Sequence, residues 1–315
     1  MMRWAKKAVQ VAGAVGLASA LFAAQGATAR PGTVNYTEGG VTIDGQAIAA
    51  KSLGSTEVEP GQVLRTEQGK AEMLMTPGVF LRLGDHTAVR MVSPSLTDTR
   101  VELLQGEAMV EADEVLVGNH LVIADRGVDT QIQKNGLYRF TTEPAQLAVY
   151  DGKAQVFIDE RTVEVGKGKQ LTLAQTAAVK PQSFDRRQTD NLYQWSNVRS
   201  EYVAEANQSS VQYIVAGNPW GWSGMGWYWN PWFGSYAFIP GAGFFGSPFG
   251  FGFYSPAYWR AYPPATYFAR PGVVAATPAA RMGAAAAMRS SMGGTAVRSG
   301  FSGGFGGFHG GGGRR

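Results

Sequence analysis

Between Val34 and Leu173, apolar and polar positions alternate, or apolar positions run together, in stretches of strand length: VLRT (63–66), AEMLM (71–75), VFLRL (79–83), VELL (101–104), EAMVEA (107–112), LYRF (137–140), QLAVY (146–150) and AQVFI (154–158). Gly or Pro recurs between them, as at Gly69, Pro77-Gly78, Gly106, Gly136 and Gly168. Strand-length runs at this spacing, with no helix-length run at a 3.6-residue period, predict an all-β body, either a sandwich or a stacked, solenoid-like sheet of short strands. Asp151-Gly152, between QLAVY and KAQVF, reads as the two-residue turn of a hairpin, because a type I′ turn takes positive φ at both central positions.

The period changes at Ser183. Phe184, Leu192, Trp195, Val198 or Arg199, Tyr202 and Ala206 fall on one helical face, which predicts a single amphipathic helix in 183–208, starting near Asp185 with Asp185 or Thr189 as its cap. Its charged opposite face predicts a surface helix packed on the β body, or a spacer leading out of it.

A third regime begins at Gly217. Residues 217–315 hold 23 of the 42 glycines, and prolines recur at 231, 240, 248, 256, 263 and 271. That spacing breaks any helix, so 217–272 reads as a Gly/Pro/aromatic-rich segment of short extended pieces and turns. It is uncharged from Ala206 to Trp259, yet Pro and Gly exclude a membrane span of about 20 residues. Residues 273–315, rich in Ala, Gly and Arg, are too poor in buriable side chains to offset ordering entropy and are expected to be disordered.

The segment carries the candidate contact residues Trp220, Trp222, Trp227, Tyr228, Trp229 and Trp232. Such rings stack on sugars, sit at a membrane interface or fill a protein interface; equally, they supply buried area to a segment that has little else to bury.

Charge and the N-terminus add a compartment. Arg3, Lys6 and Lys7, the apolar run from Ala8 to Ala24 and Ala27-Thr28-Ala29 form an export signal over 1–29, with cleavage expected near Ala29. Cys is absent, so neither disulfides nor a lipidated Cys is expected. Residues 30–205 contain 18 basic residues against all 24 acidic ones, whereas 206–315 contain seven Arg, no Lys and no acid. An acidic body with a basic tail points to an envelope protein, a polysaccharide or a membrane surface as partner. Arg this dispersed does not make a nucleic-acid patch.

The stretch GQVLRTEQGKAEMLMTPGVFLRLGDHTAVRM (61–91), followed by VELLQGEAMVE, NGLYRF, VYDGKAQVF and VEVGKGKQLTL, resembles the FecR-type domain over residues 33–178. The resemblance implies a periplasmic sensing domain of iron-siderophore regulators, which carry a cytoplasmic sigma-factor antagonist and one membrane span. Here an export signal stands in front and no span follows, which is similar instead to exported FecR proteins ending in a Gly- and aromatic-rich tail. A ligand-sensing or signalling module acting through a membrane partner is the alternative that the resemblance implies.

Catalytic chemistry has few candidates. His86, His120 and His309 are isolated, and the acidic run Glu111-Ala-Asp113-Glu114 reads as a solvated loop between strands. Gly166-Lys-Gly168-Lys169 lacks the P-loop's spacing and reads as a turn. The expectation is a non-enzymatic binding or scaffolding module without cofactor or metal, in the periplasm or outer envelope.

Overall fold

A computed structural model describes residues 29–173, 180–217 and 224–262. The β body contains β1 (Val34–Ile43), β2 (Gln46–Ala47), β3 (Val63–Leu74), β4 (Val79–Leu83), β5 (Ala88–Ser95), β6 (Asp98–Gln105), β7 (Glu107–Ala112), β8 (His120–Asp125), β9 (Val128–Ile132), β10 (Gly136–Thr142), β11 (Ala145–Asp151), β12 (Lys153–Ile158), β13 (Arg161–Gly166), β14 (Lys169–Thr172) and β15 (Gln182–Ser183). These join into one 15-stranded sheet. It folds over at β3, whose first part (Val63, Leu64, Arg65) pairs with β5 and whose last part (Ala71 to Leu74) pairs with β4. Between the two, the ladder of β1 on β3 is irregular where Gly39 meets Gly69, a bend that a side chain at either position would obstruct.

The fold-over makes a sandwich. One layer runs β5, β6, β8, β9, β12, β13; the other runs β4, β7, β10, β11, β14, β15. Alternate residues of both layers point inward into a single apolar core that includes Met91, Ile123 and Val156 from the first and Leu81, Phe140 and Leu147 from the second. The sandwich, rather than a solenoid-like stack, is therefore the all-β architecture adopted.

The chain changes layers repeatedly, and this corrects the hairpin expected at Asp151-Gly152. β11 pairs with β10 and β14, while β12 pairs with β9 and β13, so Gly152 carries the chain from one layer to the other. Its φ is +92°, and a Cβ there would lie 2.2 Å from the Tyr138 hydroxyl. That hydroxyl accepts from Lys153 N at 2.9 Å and ties the corner down. The same device explains the parallel pair of β6 and β8: the intervening β7 lies in the opposite layer and supplies the crossover.

One face of the second layer is closed by the rest of the chain. Helix α1 (Asn191–Gly217) lies over it, followed by the hairpins β16 (Gly226–Asn230) with β17 (Ser235–Ile239) and β18 (Phe244–Gly246) with β19 (Gly252–Tyr254), then the short α2 (Pro256–Ala261). α1 starts six residues later than expected and runs nine further. Its cap is Asp190, whose Oδ1 accepts from Tyr193 N at 2.8 Å. No described helix is long and apolar enough to cross a membrane.

Candidate functional site

Strand β4 shows how the site arises. Val79, Leu81 and Leu83 enter the sandwich core; Phe80 and Arg82 point the other way, yet all five are buried. A strand buried on both faces needs a cover, and α1 with the aromatic segment provides it.

Beneath that cover lies an ionic cluster. Glu72 of β3 faces Arg82 of β4, with Nε to Oε2 at 2.8 Å, and Arg82 also reaches Glu111 of β7. From α1, Arg199 donates to Glu72 Oε1 at 2.6 Å, and Ser200 donates to Glu111 Oε1 at 2.6 Å. Asn35 of β1 donates to Glu72 at 2.9 Å and to the Tyr236 carbonyl at 3.2 Å, linking cluster and aromatic segment. Both carboxylates and both guanidiniums are fully enclosed, and Arg199 is roofed by Tyr36, with its guanidinium 4.3 Å from the ring centroid.

Two guanidiniums balance two carboxylates, so a third negative charge has no counterion. Asp113 is that third carboxyl: burial, then the Glu111 charge, hold it well above the usual carboxylate range. Glu72 behaves oppositely. Burial disfavours its charge, but Arg199 and Arg82 outweigh that and bring it down to about 2. The run Glu111-Ala-Asp113-Glu114 is thus no solvated loop: Glu111 and Asp113 are buried because β7 lies under the helix.

The cover itself is fastened by asparagines. Asn207 of α1 donates to the carbonyls of Phe238 (2.8 Å) and Tyr254 (3.1 Å) and accepts from Tyr254 N (2.9 Å). Asn230 donates back to the Ala206 carbonyl and to Ser210. Asn207 and Ser210 of the helix therefore face the aromatic segment, as Arg199 and Ser200 face the ionic cluster, which is why α1 is buried on more sides than an amphipathic surface helix or spacer would be.

The candidate tryptophans divide. Trp227 is core, edge-on to Phe80 at 5.0 Å and near Phe238 at 6.0 Å. Trp229 is half-buried against Tyr236 and fills the space over Gly54, where a Cβ would stand 2.3 Å from its ring. Tyr228, between them on β16, points outward, as strand alternation requires. Trp232 is 67% exposed and leans on the 63% exposed Tyr213 of α1 at 5.7 Å. Trp220 and Trp222 lie outside the described residues, as do the expected signal (1–28 of it), His309 and the 273–315 tail.

Sequence reasoning passed over a second outward group. Phe244, Tyr254, Tyr258 and Tyr262 form a continuous ladder, with centroids 5.1 Å apart for Phe244–Tyr254 and 5.2 Å for Tyr258–Tyr262. Its signal was the four-residue spacing of the three tyrosines. His86, in the turn between β4 and β5, and His120, at the start of β8, are exposed and join neither group.

No protein-family model matches the chain, and no curated protein matches it in sequence. Two solved structures, each described as a "putative anti-sigma factor" from Parabacteroides distasonis ATCC 8503, are similar to it in part. The first is 16% identical with a TM-score of 0.35 over 42% of this chain, which spans 63% of that chain's length. The second is 11% identical with a TM-score of 0.36, over 56% of this chain and 98% of the other.

Proposed function

We propose that this chain is a non-enzymatic binding or scaffolding protein of the bacterial envelope, built on a FecR-like β sandwich and exported by its N-terminal signal. One observation carries the reading: the charged groups gathered on the covered face are enclosed and spent on holding α1 in place, while aromatic rings of the covering segment stay outside. Enclosed ion pairs hold a shape; exposed rings on a rigid support offer contact area at low entropic cost. The rigid support is what a docking module needs.

The test is fractionation of cells expressing the tagged chain. Recovery in the envelope fraction, with release by osmotic shock or salt, is the expected result. Recovery in the cytoplasm, with the N-terminal segment still attached, would rule the reading out. A matching pair of variants reads the aromatic contribution: Trp232→Ser lowers envelope retention at an unchanged melting temperature, whereas Trp227→Ser acts through loss of folding.

A further inference from the structure

The sandwich core is apolar almost throughout, but at the β8–β9 turn it encloses a carboxyl. Leu121 and Ile123 of β8 point into the core, and by strand alternation Asp125 follows them inward. Its cross-strand partner is Val128 of β9 and its neighbour on β6 is Leu103, both core residues. The Asp125 side chain is fully enclosed, and among the described residues neither of its oxygens has a hydrogen-bond partner. Thr130, the next inward residue of β9, is buried with its hydroxyl unpartnered as well.

The turn beside it is tight and borders open space. Arg126 and Gly127 both take positive φ, +50° and +78°, so an ordinary side chain is held in the left-handed region. Arg126 lines a cavity of about 670 Å³ together with Glu143, Pro144, Ala145 and Leu173 of the other layer. Ala145 and Leu173 belong to the core, so the cavity opens between the two layers. The turn has room to move there without displacing packed side chains.

A neutral carboxyl suits the Asp125 position better than a charged one, because a carboxylate without a donor in an apolar enclosure is strongly disfavoured against one that reaches water. The charged groups that act on it are Arg126, of its own turn, and Glu102, which is turned to the outer face of β6 and paired with Arg90. The inward residues of β9 and β14 at this end, Val128, Thr130 and Leu171, carry no charge, and Glu143 stands at the cavity with Arg126.

We propose that the β8–β9 turn is a pH-operated latch on this end of the sandwich: a protonated Asp125 keeps the turn shut on the core, and an ionised one draws it open toward the cavity and water.

Burial raises this carboxyl, Arg126 offsets part of the rise and Glu102 adds to it, bringing it to about 6. In the open turn the carboxyl meets water and titrates at the ordinary value, about 4. The closed turn therefore holds its proton more tightly, so opening grows as pH rises past the ordinary value and levels off above about 6. A gap of about two units makes the rise in the opening constant about a hundredfold.

The test is amide hydrogen exchange of the purified chain from about pH 4 to about pH 8, corrected for the intrinsic rate, at Val128, with Leu147 of β11 as the reference. Expected at Val128 is an opening constant that rises about a hundredfold and, near neutrality, exceeds that at Leu147 by at least about tenfold. In Asp125→Asn the Val128 opening constant should be flat with pH. Equal opening at the two amides would place the response in the whole sandwich, and a rise that persists in Asp125→Asn would place it on another group; either result overturns the proposal, as does the absence of a rise in the parent. Should the variant fail to fold, the side-chain carboxyl carbon of Asp125 in the parent, followed by NMR over the same range, decides the point: opening that does not track its titration overturns the latch.

Discussion

Asp113 and Glu72 lie in one cluster and respond to pH with opposite signs. The folded-state pKa of Asp113 is raised, so between the ordinary carboxylate value and its raised one the folded chain holds more protons than the unfolded chain, and stability falls as pH rises. Asp113→Asn keeps the shape of the carboxyl and removes that loss. The variant should match the parent near the ordinary carboxylate value and exceed it increasingly as pH rises above it, as read by urea unfolding across pH; parallel curves would show that the Asp113 carboxyl is not raised. Asp125, lifted by burial to about 6, contributes equally to both chains and cancels in the comparison. Glu72, lowered to about 2, gives stability that is present above the ordinary glutamate value and lost as pH falls toward 2, so Glu72→Gln should flatten the acid limb. Arg199→Met leaves Glu72 with one cation fewer in an enclosed site and should cost ~3–5 kcal/mol; a loss below ~1 kcal/mol in the same urea titration would mean that the pair is not formed. Little of this cluster was legible beforehand. Glu72 and Arg82 each occupy a polar position of a strand alternation, and such positions read as solvent-facing unless a covering layer is known; Arg199 shares the predicted helix face, but nothing in that pattern names its partners.

Helix α1 shows where a pattern suffices and where it does not. Leu192, Trp195, Tyr202 and Ala206 announced the helix and the face it lays on the sheet, because those residues are apolar at helical spacing. Ser196, Ser200, Asn207 and Ser210 are also buried, and nothing apolar marks them. Asn207 meets backbone of β17 and β19, carbonyls and amides that any sequence would present, while Ser200 meets Glu111 and Ser247 and Ser210 meets Asn230, partners far along the chain. For the same reason the helix ran on past Gln208, where Ser209-Ser210 carries no apolar signal but Val211 and Ile214 find Trp259. Asn207→Ala removes three bonds to Phe238 and Tyr254. Leaving those buried backbone groups unpaired should cost ~2–4 kcal/mol. Hydrogen exchange at Tyr254 N should quicken more than at β10, whose amides belong to the sandwich; uniform change across both would place α1 and the sandwich in one cooperative unit at that site. The turn at Asp151-Gly152 carries a related lesson. Positive φ was readable from Gly152, but which strand follows which depends on Tyr138 at the corner and on pairing partners far along the chain.

At the scale of the molecule, the aromatic segment belongs to the body, one of the readings its rings left open. Its composition set it apart as a tail, since Gly, Pro and Trp interrupt the alternation that marked the sandwich; yet Trp227, Phe238 and Phe253 pack on Phe80 and Leu74 as one apolar cluster. Ending the chain after Gln208 would therefore do more than remove a basic extension. It would uncover Phe80 and Leu74, take the Tyr236 carbonyl from Asn35, deprive Ser200 of Ser247 and strip Asn207 of its partners. With several large rings withdrawn, at roughly 1.5–3 kcal/mol for each buried side chain, the loss exceeds the net stability of an ordinary domain. The chain cut after Gln208 is expected to be insoluble, or to bind a hydrophobic dye and lose its cooperative melt. The chain cut after Tyr262, which keeps every described contact, should melt as the full chain does. A chain cut after Gln208 that melts at the parent temperature would show the aromatic segment to be an appendage. The two truncations thus separate the segment's part in the fold from that of the chain beyond it.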